Sequence, residues 1–150
     1  MSAAVLLACG GFLAAVLWFD LMFDVQALGG TPSPEAIASI MAYYRRVTTE
    51  ASPMGHLVAA VMATLLVVGV RELVHAGESR ALRAAALVLA AAPIALALLR
   101  VVPNAVALGG APAPGPEQVA LARSILWDHV LCFACILAFL GVRFGLVLRS

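Results

Sequence analysis

Lysine is absent from this chain, and all nine basic residues are arginine. Charged residues of either sign are scarce, 11% of the 150, against about 25% in soluble domains. Hydrophobic residues make up 64%. So little polar surface argues against a soluble globular domain, and a net charge of +1 argues against nucleic acid, which calls for a basic patch. The N-terminus lacks the basic region of a secretory signal, and its apolar run outlasts the usual stretch of about 7–15 residues. Met1 onward therefore reads as a retained first membrane span.

What fills the chain instead is four long apolar stretches, over residues 3–23, 51–70, 84–99 and 125–148. Each is near the length of about 20 residues that crosses a bilayer as a helix. The expected fold is all-α, an integral membrane four-helix bundle forming a single domain. Arg71, Arg80 and Arg83 flank the loop between spans two and three, with Arg143 and Arg149 at the C-terminal end. Arg45, Arg46 and Arg123 fall on the other side. Cytoplasmic loops are enriched in arginine, which places both termini in the cytoplasm of a bacterial-type inner membrane.

The chain also repeats itself. Ala27-Leu28-Gly29-Gly30-Thr31-Pro32-Ser33-Pro34 recurs as Ala107-Leu108-Gly109-Gly110-Ala111-Pro112-Ala113-Pro114, and Gly69-Val70-Arg71 recurs as Gly141-Val142-Arg143. The landmarks predict two parallel helical-hairpin repeats, about residues 1–75 and 80–150. Pro34-Glu35 and Pro116-Glu117 each suit a helix start. Ile37, Ile40, Met41, Tyr44 and Val47 then recur at helical spacing, predicting a short outer-face amphipathic helix over residues 34–48. In the second repeat the helix from Pro116 should run straight into span four. Residues 76–79 read as an ordinary turn.

Polar residues inside the spans concentrate toward the outer end, where a buried ionisable group is by default a functional suspect. Aligning the repeats sets Asp20 opposite Arg100 and Asp24 opposite Asn104; Asp20 and Asp24 share one helix face at i,i+4, as do Arg100 and Asn104. His56 matches His129, and Trp127 and Asp128 adjoin the latter. The expectation is one cavity, with Asp20 and Arg100 paired inside it. The bland alternatives are a structural ion pair, interfacial hydrogen-bonding histidines and a tryptophan anchoring the interface. No His-x-x-x-His or Glu-x-x-His spacing occurs, so the metal content is unknown; a metal ion, or haem between His56 and His129, would need tertiary convergence. Cys132-Phe133-Ala134-Cys135 resembles the motif of the vitamin K epoxide reductase family, but the second, outer cysteine pair of that family is missing. Buried cysteine as a small apolar residue is the stronger reading.

Val102-Pro103-Asn104 ending the third span, Trp127-Asp128-His129-Val130 opening the fourth, and a Gly-rich first span together resemble the anthrone-oxygenase-like family of small four-span membrane proteins. That resemblance implies cofactor-independent oxygenation of a phenolic polycycle, with Asn104 and His129 as the residues carried over. Leu131 stands where that family often has arginine. On the residues themselves, His129 beside Asp128 could act as general base, and Arg100 could stabilise the anion formed. Asp20, Asp24, His56, Asn104 and Trp127 would bind the ligand, a phenolic or quinone-like lipophile. The competing expectation is a non-catalytic accessory subunit, docking a larger membrane complex or another copy of the chain through small-residue faces.

Overall fold

The structure, a computed structural model, describes residues 2–50, 52–75 and 79–149. Most of the turn at residues 76–79 therefore lies outside the described residues. The fold is an all-α bundle in which four helical stretches are long and apolar enough to cross a membrane: Ser2–Ala27, Pro53–Val74, Arg80–Gly110 and Pro116–Val147. Helix α1 spans Ser2–Asp24 and tightens into a 3-10 turn at Val25–Ala27; α2 spans Pro34–Arg45 and α3 Ser52–Val74. The third stretch comprises α4 (Arg80–Leu96), a π turn (Ala97–Val101) and α5 (Val102–Gly110), and α6 spans Pro116–Val147.

The long helices pack in a ring, α1 against α3 and α6, and α4 against the same two. Glu72 near the end of α3 meets Arg83 near the start of α4 and Arg143 near the end of α6, so neighbours in the ring run antiparallel. Lipid offers apolar side chains no reason to cluster, so close backbone approach at small residues holds such helices together. Gly10 supplies one such place on α1. A Cβ there would lie 2.8 Å from side-chain atoms of both Phe139 and Leu140 on α6. Leu6, Leu13, Leu65, Ala90, Ile136 and Phe139 form the core around this crossing.

The third stretch differs from the expectation of residues 84–99 by continuing to Gly110. Proline removes an N–H and clashes with the preceding turn, which predicts a stop near Pro103. Instead the π turn at Ala97–Val101 resets the hydrogen-bond register just before Pro103. Pro103 then falls in the first turn of α5, where its missing N–H has no partner to lose.

Helix α2 begins where the Ser33 hydroxyl accepts from the Ala36 N–H at 3.2 Å, an N-cap followed by Pro34. A hydrogen bond from its own backbone N–H, and a second with Ser33, hold the exposed Glu35 carboxyl below its ordinary range. Ile37, Ile40, Met41 and Tyr44 form its buried face, as their spacing predicts, while Val47 falls in the π turn Arg46–Glu50. Helix α2 lies across α5 so closely that a Cβ on Gly109 would sit 2.6 Å from the Arg45 backbone nitrogen. As expected, α6 runs without a break from Pro116 into the fourth span.

Two arginines bind the Gly-Gly turns reciprocally. Arg45 Nε donates to the Gly109 carbonyl at 2.9 Å and its Nη2 to that of Ala111 at 3.2 Å. Arg123 Nε donates to the Ala27 carbonyl at 3.2 Å, and its Nη2 to those of Gly29 and Gly30 at 2.7 and 2.6 Å. Gly29, at φ +99°, takes a left-handed conformation that costs glycine little. Each guanidinium thus satisfies carbonyls left open where the opposite half's helix ends.

Candidate functional site

Asp20 and Asp24 sit one helical turn apart at the end of α1, on a face turned toward α2 and α6. Both carboxylates receive tyrosine hydroxyls from α2. Tyr44 donates to Asp24 Oδ1 at 2.6 Å, and Tyr43 donates to Asp20 Oδ1. From α6, His129 sets Nδ1 2.7 Å from Asp24 Oδ2 and Nε2 3.9 Å from Asp20 Oδ2. Asp24 is fully buried and His129 only 5% exposed, so the dyad is shielded from solvent by the protein itself. A charged group so placed is tolerable only when paired and hydrogen-bonded, and Asp24 is both.

Burial, followed by the charge of the neighbouring carboxylate, raises both tyrosines well above their ordinary value. They therefore remain phenols and act as donors. Phe23 stacks on Tyr43 at 4.1 Å between ring centroids, which fixes the ring that reaches Asp20.

His129, Asp20, Tyr43 and Tyr44 line one end of a cavity of about 390 Å³. Its remaining wall is largely apolar, including Leu13, Val58, Met62, Ile94 and Ile136. That volume lies within the range of small-molecule pockets, about 300–1,000 Å³, which pair apolar walls with a few polar groups. Cys132 lines the cavity too, with Sγ 3.6 Å from the Pro93 carbonyl. Cys9, Cys132 and Cys135 are all free thiols.

Several expectations are corrected by this geometry. Arg100 does not pair with Asp20: its Nε lies 3.3 Å from Asp128 Oδ2, and its Nη2 donates to the Ser124 hydroxyl at 3.4 Å. The π turn at Ala97–Val101 departs from the helical spacing on which the pairing rested, and Arg100's side chain is 57% exposed. Asp128 is accordingly not the carboxylate of His129. Adjacent residues on a helix point about 100° apart, and Asp128 faces Arg100 while His129 faces α1.

His56, Asn104 and Trp127 are not among the residues lining the cavity. Gly55, Val58, Ala59 and Met62 form the lining stripe of α3, and the exposed His56 sits off that stripe. Val101, Val102, Ala105 and Val106 play the same part on the third stretch, with the half-buried Asn104 outside it. Trp127, two residues before His129 and so on nearly the opposite face, is 63% exposed. His56 and His129 therefore do not line one cavity, as a haem-binding pair within it would. Among the described residues, no group of three or more His, Cys, Asp and Glu is placed to hold a metal ion.

Tyr43 and Tyr44 are the site residues that the sequence reading missed. By spacing Tyr44 counts only toward the apolar stripe of α2, and Tyr43 falls beside that stripe. Compared with known protein families, curated proteins and solved structures, the chain matches none.

Proposed function

We propose that the protein is a small multi-pass inner-membrane protein, both termini cytoplasmic, that binds a lipophilic phenolic or quinone-like molecule at His129. One observation carries this reading: the histidine of a buried Asp24–His129 dyad lines a largely apolar cavity, with Asp20 beside its second ring nitrogen. Asp24 fixes the ring by accepting from Nδ1–H, which leaves Nε2 with the lone pair that can take a proton. A phenol or an acidic C–H bound near Nε2 would lose its proton there. For a ligand whose acidic carbon is a CH₂ between aromatic rings, dioxygen is the co-reactant. The carbanion passes electrons to O₂, the carbon–oxygen bond forms, and the peroxide collapses to a ketone and one water. Arg100 takes no part, because Asp128 holds it outside the cavity.

The test is oxygen uptake with a hydroxylated anthrone, set beside a melting curve. His129→Gln should cut turnover by about 10²-fold or more, the usual worth of general base catalysis, and leave a folded bundle. Turnover that falls only in proportion to folded protein would sink the site and favour a non-catalytic accessory subunit.

A further inference from the structure

The cavity has a side window. Helix α3 and α5 have no Cα–Cα approach within 8 Å among the described residues, although α3 packs on α4 further along the bundle. The π turn Arg46–Glu50 touches both and closes the gap at its outer end. Across this gap stand Met54 and Ala59 on one side and Leu98, Val102 and Val106 on the other, all exposed and all lining the cavity. Apolar side chains facing outward from membrane-length helices make a surface wetted by lipid, so the window opens to the bilayer interior.

The polar end has a definite sense. Both tyrosine hydroxyl protons are committed to Asp20 and Asp24. Two carboxylates face one imidazole there, and the nearby arginine is turned away to Asp128. What Asp20 Oδ2 and His129 offer a newcomer is therefore acceptor capacity. Among the described lining residues a carbonyl finds no donor free to receive it, and a hydroxyl fits.

Building on the reading above, we infer that the occupant is a neutral, tailed phenol or quinol that enters sideways from the bilayer. Its hydroxyl donates its one proton to His129 Nε2, beside Asp20, and its alkyl tail leaves through the window between α3 and α5.

The probes are 4-nonylphenol and its methyl ether, which share shape and tail and differ in the one donated proton, together with tailless 4-methylphenol. Binding is measured on the whole protein in lipid nanodiscs. The phenol should bind at least about ten-fold more tightly than the ether, the effect of leaving buried acceptors unmet. Ala59→Phe narrows the window and should lower the preference for nonylphenol over methylphenol by about ten-fold. Equal affinity for phenol and ether would overturn the donor assignment, and an unchanged preference in the folded variant would overturn the lateral route. Failure of all three probes to bind the wild type would instead remove the phenol-binding reading itself.

Discussion

The chain has two tyrosines, and both are spent on the site. Burial raises Tyr43 and Tyr44 above their ordinary value of 10.0, which has a consequence with a definite sign. Below that pH, folded and unfolded chains both keep the phenolic protons, so the tyrosines add no pH dependence. Above it the unfolded chain sheds protons that the folded chain retains, and stability falls as pH rises. The near-ultraviolet tyrosinate absorbance should therefore stay silent as pH passes the ordinary tyrosine value and appear only together with loss of helical circular dichroism. A tyrosinate signal from the intact fold would contradict the two hydroxyl–carboxylate bonds. At this scale the sequence was partly legible. Asp20, Asp24 and His129 stood out because charge is costly inside an apolar span. Their partners did not, because tyrosine at helical spacing looks like core, and because the π turn that turns Arg100 outward leaves no local signature.

Helix α2 carries the other half of the site, and its placement rests on backbone contact as much as on side chains. The existence of α2 was legible from the 3.6-residue period of its apolar face. Its landing place was not, because that depends on the absence of a side chain at Gly109, eighty positions from the repeated Gly29. Gly109→Ala would drive a Cβ to within 2.6 to 2.9 Å of backbone atoms of Tyr44 and Arg45. Backbone cannot swing aside as a side-chain end can, so the change should cost about 1–3 kcal/mol, the usual cost of overpacking. It should also move Tyr43 and Tyr44 off their carboxylates and weaken ligand binding. Gly110→Ala is the control, since nothing lies within 4 Å of its added Cβ. Thermal unfolding of the two variants checks the contrast, and equal melting temperatures would show that α2 does not bear on α5 this closely.

At the scale of the whole molecule, hydropathy foretold the four long helices. The paired Gly-Val-Arg landmarks were equally visible, yet they hide an asymmetry. Arg71 is exposed, whereas Arg143 is buried at 4% exposure. Arg143 Nη1 lies 2.7 Å from Glu72 Oε2, and Arg83 approaches the same oxygen at 3.4 Å. This cluster ties α3, α4 and α6 together at the end opposite His129. A buried ion pair adds little over apolar packing, but removing one member leaves the other charged and stranded. Arg143→Met should therefore destabilise by about 3–5 kcal/mol, because Glu72 keeps its charge and is left with the partly exposed Arg83 and the Ser2 hydroxyl. The double variant Glu72→Leu with Arg143→Met should recover most of that loss. Arg83 keeps its bond to the Ser79 hydroxyl at 2.9 Å and can reach water, so it is not stranded in turn. Denaturant or thermal unfolding of the single and double variants in the same lipid decides the matter. A double variant as unstable as the sum of its singles would mean that Glu72 and Arg143 act independently, and that the cluster does not couple these helix ends.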